Sequence, residues 1–125
     1  MTKIKQKRKH DRIDSLNLLN YVCLDENNNE VNQGMGRTLN VSQGGILLET
    51  HVPLDKKHII SLSIGLEDEM VDIQGTIIYH REGEKGKSEA GIEFQDINET
   101  SFQILNRYII AFRAMQKQES QFQND

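Results

Sequence analysis

Two groups of residues in this 125-residue chain combine side chains and spacing suited to chemistry. The first is Arg8 and Arg12, placed where a basic N-terminal arm meets the rest of the chain. Two guanidinium groups there can fork onto phosphates, or onto the O6/N7 edge of guanine, in bidentate fashion. The second is the stretch Asn40-Val41-Ser42-Gln43-Gly44-Gly45. Asn and Ser side chains bond to backbone groups two residues on, which stabilises a turn. A glycine pair permits positive φ and leaves backbone N–H groups with no side chain in front of them. Two short polar side chains beside bare backbone suit a planar, donor-rich ligand edge. The same six residues also suit a plain, tight connection between strands, and alone they do not separate the two readings.

Other chemistries fit less well. His10, His51, His58 and His80 have no spacing that brackets a metal or puts two on one helical face. Ser42 has no base fixed beside it by sequence, so an activated nucleophile is not supported. Gly86-Lys87-Ser88 has the tail of a phosphate-binding P-loop, but Arg81 stands where the motif needs glycine and a strand follows instead of a helix. Gly34-Met35-Gly36 is too short for a dinucleotide fingerprint. The expectation is a non-enzymatic protein with no catalytic residue, metal site or cofactor.

The elements that must position these residues are mostly strands. Residues 13–24 alternate imperfectly, with Leu19, Tyr21 and Cys23 on one side and Leu16, Leu18, Val22 and Leu24 on the other. A polar turn, residues 25–29, leads back through Val31 to Val41, loosened by Gly34 and Gly36. Gly45 to Thr50 reads as a short apolar strand ended by Pro53. In the next strand Ile60, Leu62 and Ile64 alternate with Ser61 and Ser63. Val71, Ile73, Gly75, Ile77 and Tyr79 form one face of another. Residues 83–87 make a hairpin tip, and Ala90, Ile92 and Phe94 face one way on the return. Short strands at this spacing predict a sandwich or barrel.

The period then becomes helical. Asp96 and Glu99 give a start signal, with Asn98 a competing cap. Phe102, Leu105, Ile109 and Phe112 form one stripe, and Ile104, Tyr108, Ala111 and Met115 a second. The two stripes make either a wide core face or a surface for a partner helix. The expected division is a flexible basic arm over 1–12, a folded body over 13–115 and a frayed tail over 116–125.

Composition limits the class. The formal net charge of −4 argues against a protein built to coat DNA. A single cysteine, Cys23, excludes an internal disulfide and a cysteine zinc cage. With no apolar run of about 20 residues to span a bilayer and no secretory signal, a reduced, cytoplasmic setting is expected.

Arg-x-x-x-Arg before the first strand, then Asn-x-Ser-x-x-Gly at Asn40, Ser42 and Gly45, resembles the PilZ family. So does the strand Glu89-Ala90-Gly91-Ile92-Glu93-Phe94, and the resemblance runs from Arg8 to about Met115. It implies a mainly β fold, a six-stranded antiparallel β-barrel of the split-barrel kind with a C-terminal α-helix, that binds the bacterial second messenger cyclic di-GMP. It also implies site residues: Arg8 and Arg12 on phosphates and guanines, Asn40 and Ser42 on a guanine, and Gly45 admitting backbone. Lys7, Lys9 and Gly44 are further candidates, and Lys7 leaves both one ligand and a stacked pair open. Asn40 stands where the family more often has Asp. Charge-assisted bonds are roughly twice as strong as neutral ones, so Asn40 is expected to weaken affinity or alter preference among cyclic dinucleotides.

The chemistry agrees with that ligand. Two forked arginines, at roughly 1.5–3 kcal/mol per charged hydrogen bond, suffice with the turn contacts for micromolar binding, about −8 kcal/mol, after the arm is ordered. Output then goes through a downstream protein, with a homo-oligomer through the C-terminal helix also open. Two other readings compete. One is a ligand-independent PilZ-like interaction module acting through that helix. The other is a basic-arm binder of RNA or membrane, with steep salt dependence and no guanine preference.

Overall fold

The structure, a computed structural model, describes residues 16–66 and 68–124. Six strands come first: β1 Leu18–Leu24, β2 Glu30–Val41, β3 Gly45–Thr50, β4 Ile59–Leu66, β5 Glu69–Glu82 and β6 Ser88–Gln95. One helix follows, α1 Glu99–Asn124. The strands pair antiparallel in the order β1-β2-β3-β6-β5-β4 and close into a barrel. The expected mainly β, six-stranded antiparallel barrel with a C-terminal helix is the fold observed.

Alternation explains the core. Ile60, Leu62 and Ile64 point inward from β4 and are fully buried. Each such side chain contributes roughly 1.5–3 kcal/mol relative to exposure. On β1 the inward set is Leu19, Tyr21 and Cys23, while Leu18 is exposed. Gly34 and Gly36 do not loosen β2. A Cβ on Gly34 would lie 2.6 Å from the Tyr21 hydroxyl, and one on Gly36 would lie 2.7 Å from Leu48. These glycines leave room for large neighbours. At the polar turn the Asp25 carboxylate accepts from the N–H groups of Asn27 and Asn29, each at 2.9 Å. At the tip between β5 and β6, Gly86 takes φ +77°, a conformation that only glycine adopts freely.

α1 packs against β4 and β5. Its cap is Asn98, whose side-chain oxygen accepts from Ser101 N–H at 2.8 Å. Asp96 has φ 49° and belongs to the turn before the helix, not to its cap. The two apolar stripes resolve into one wide core face: Ile104, Leu105, Tyr108, Ile109, Phe112 and Met115 are all buried. Helical structure continues past Gln116, where the sequence reads as a fraying tail, to Asn124. Arg107 on the exposed side forms an ion pair with Glu69 of β5.

A groove on the outer wall of the barrel

The outer face of β2, β3, β6 and β5 is organised by two β-bulges. On β2, Thr38 pairs with Leu48 and Asn40 with Leu47, so Leu39 is an extra residue between them. Thr38 and Val41 are buried and Asn40 is exposed. If Leu39 were instead paired in an unbulged strand, strict alternation would carry Asn40 inward with Thr38. The bulge therefore aims Asn40 outward and Val41 inward, a common use of bulges near sites. On β5 the ladder shifts between Ile77 and Tyr79, leaving Ile78 unpaired. Ile77 stays buried while Tyr79 moves to the outer face, 42% exposed. The sequence places Tyr79 with the inward set of that strand, and the bulge overturns that placement.

With both bulges in place, Asn40, Leu47, Gly91 and Tyr79 form one cross-strand row. The Tyr79 ring lies on the bare backbone of Gly91, where a Cβ would come within 2.3 Å of it. Gly45, Glu93 and Thr76 make the next row. These rows and the turn after β2 enclose an open groove of ≈ 360 Å³, lined among others by Asn40, Ser42, Gly44, Gly45, Tyr79 and Glu93.

The turn is tied by Ser42 N–H donating to Gly45 C=O at 2.8 Å and Phe94 N–H donating to Gly44 C=O at 2.9 Å. Asn40 Oδ1 accepts from Val41 N–H at 2.9 Å, leaving its amide nitrogen as a donor. The Ser42 hydroxyl is 3.5 Å from Gly45 C=O, too long to hold it firmly, and it stays available to a ligand. Neither Gly44 nor Gly45 has positive φ, contrary to the usual reason for such a pair. Gly45 is required by the sheet: a Cβ there would sit 2.4 Å from Ile92 C=O. Gly44 has nothing within 4 Å of that position and forms open floor.

Beside the groove runs a charged row, Arg37–Glu49–Glu89–Arg81. Arg37 Nε is 3.0 Å from Glu49, Lys87 is 3.7 Å from Glu49, and Arg81 is 2.7 Å from Glu89. The hydrogen bond from Arg37, with the charges of Arg37 and Lys87, holds the buried Glu49 carboxyl below the ordinary carboxylate range.

Of the residues singled out in the sequence, Asn40, Ser42, Gly44 and Gly45 come together in this groove. Arg8, Arg12, Lys7 and Lys9 lie outside the described residues. Sequence reasoning missed Tyr79 and Glu93. Gly91 was the available signal, since a glycine inside a strand marks close approach by something else. Among the described residues there is no cluster of side chains arranged to hold a metal ion, and no helix long and apolar enough to cross a membrane.

The family model for the PilZ domain matches residues 6–111. The chain belongs to the PilZ domain family. PilZ domains are receptor modules for cyclic di-GMP and not enzymes. Among solved structures, the PilZ domain of CeSA from a cellulose-synthesizing bacterium matches with TM-score 0.54 and 15% identity, over 77% of this chain and 93% of that one. MrkH of K. pneumonia in its apo state matches with TM-score 0.55 and 12% identity, over 81% of this chain and 49% of that one. At these identities the two neighbours speak for the PilZ fold alone. No curated protein sequence matches the chain.

Proposed function

We propose that this PilZ domain is a cyclic di-GMP receptor that takes the messenger in the groove between Asn40 and Tyr79. The observation that carries the reading is the pair of bulges, which bring a polar turn and an aromatic ring onto one row of the outer wall. Tyr79 offers a face on which a guanine stacks, a contact of roughly 1–3 kcal/mol per base. Asn40 and Ser42 supply polar contacts, and the Gly44 backbone lets a flat base approach. Arg8 and Arg12 fork onto the phosphates, drawing the arm over the groove, and the ordered arm changes the surface that a partner protein reads.

The helix is joined to this site at three points. Gln43 of the turn donates to Asn106 at 3.0 Å. The amide of Gln116 lies 3.5 Å from C=O of the bulged Leu39, a loose contact. The buried Tyr108 hydroxyl donates to Leu16 C=O at 2.7 Å and is 3.0 Å from Thr38 Oγ1, which donates to it in turn. Leu16 follows the arm in the chain and Thr38 precedes the bulge, so one phenol bonds to both sides of the site. Burial pushes that phenol up to about 12, so it remains a donor at neutral pH.

Calorimetric titration of the full chain with cyclic di-GMP, beside cyclic GMP-AMP and GTP, tests the proposal. Micromolar or tighter binding of cyclic di-GMP is expected, abolished by Arg8→Ala or Arg12→Ala with thermal stability of the free protein unchanged. Absence of binding at high ligand concentration refutes it.

A further inference from the structure

The groove holds a carboxylate that the receptor reading has not used. Three glutamates sit on the outer rows of β3 and β6. Glu49 is engaged by Arg37 and Lys87, and Glu89 by Arg81. The third, Glu93, lines the groove and is exposed. Among the described residues its side chain has neither a hydrogen bond nor an ion pair. A bare carboxylate in a groove for a twice-negative ligand opposes binding unless it meets N–H donors of that ligand.

Guanine supplies such donors. Its Watson–Crick edge carries N1–H and the exocyclic N2 amine side by side, matching the two oxygens of a carboxylate. Adenine presents a lone pair at N1 in the same place, which a carboxylate repels. Asn40 is poorly set for that edge, because its amide oxygen already accepts from Val41 N–H. Its free amide nitrogen suits the O6/N7 acceptors on the other edge of the base.

We propose that Glu93 reads the Watson–Crick donor edge of a guanine in this groove, and sets the preference for guanine over adenine and hypoxanthine. Glu93 thus supplies the charged acceptor that Asn40 lacks. The inference rests on the reading of the groove as a cyclic di-GMP site.

The test is calorimetric titration of the full chain and of Glu93→Gln with three ligands: cyclic di-GMP, cyclic di-AMP and the inosine analogue cyclic di-IMP, which lacks the N2 amine. The wild-type chain is expected to bind cyclic di-GMP about tenfold or more tightly than cyclic di-IMP, at the lower end of what a bidentate base contact contributes. Glu93→Gln is expected to lose about tenfold for cyclic di-GMP and to bring the two ligands close to equal. Because the side chain has no described partner, thermal unfolding of the variant is expected to match the wild type, and the ligand ratio does not depend on the folded fraction. An unchanged ratio in a variant that still binds overturns the role of Glu93 and leaves the receptor reading standing. Tighter binding by the variant overturns it too, and makes Glu93 a repulsive group or a partner of the basic arm. If the wild-type chain ignores cyclic di-GMP, both readings fall.

Discussion

Replacing Gly45 with alanine separates what the sheet needs from what a ligand needs. The added methyl would lie 2.4 Å from Ile92 C=O, a backbone atom on the neighbouring strand. An ordinary carbon–oxygen contact needs about 3.3 Å, so β3 and β6 must part by roughly 0.9 Å at this point. That shift stretches the neighbouring bonds, including Phe94 N–H to Gly44 C=O at 2.9 Å, out of hydrogen-bonding range. Overpacking of this kind costs about 1–3 kcal/mol and the partly exposed bonds it breaks add about 0.5–1.5 kcal/mol, so that, less about 0.4–1 kcal/mol returned by the stiffer unfolded chain, the net loss is about 2–3 kcal/mol. In urea, with a slope of about 1.5 kcal/mol/M, the unfolding midpoint should fall by about 1–2 M. Gly44→Ala is the control: nothing lies within 4 Å of its Cβ position, so its stability should stay within about 0.5 kcal/mol of wild type. A methyl at residue 44 does, however, project from the groove floor, and affinity for cyclic di-GMP should drop. A Gly45→Ala midpoint indistinguishable from wild type would refute the reasoning.

Three further outcomes are expected. Tyr108→Phe removes a buried hydroxyl shared by Leu16 and Thr38 and should cost about 1–3 kcal/mol in urea unfolding. Tyr79→Ala should weaken cyclic di-GMP about tenfold in calorimetry, the lower end of one base-stacking contact, while the secondary structure seen by circular dichroism is retained. Glu49 has a folded pKa below its unfolded one, so its stabilisation is present above the unfolded value of about 4.3 and is lost as pH falls through the folded value. Glu49→Gln should therefore be less stable than wild type at pH 7, with the gap closing on acidification below about pH 5, as urea midpoints across a pH series will register.

The barrel was legible in the sequence because its cause is local. Ile60, Leu62 and Ile64 alternate with serines, and that pattern alone sends them inward. The turn at Ser42 to Gly45 was equally plain from its polar and glycine residues. The bulges at Leu39 and Ile78 were not legible, since they are properties of pairing with β3 and β6 and not of their own strands. Missing the second one put Tyr79 on the wrong face. Glu93 escaped notice because an outward glutamate on a strand is ordinary until its neighbours are known to be ion-paired and it is not. At the helix, the competition between Asp96 and Asn98 was visible, but the winner depended on the left-handed turn at Asp96.

The surplus residue at Leu39 also bears on how such a barrel loses its role. Let β2 keep all its residues but pair without the bulge, Leu39 opposite Leu47, and the strand's facing inverts beyond that point: Asn40 enters the apolar interior and Val41 meets water. The other five strands keep their own patterns of inward side chains. A slip of one residue thus stands between a wall that presents its polar turn to the groove and the same wall with that turn folded inward.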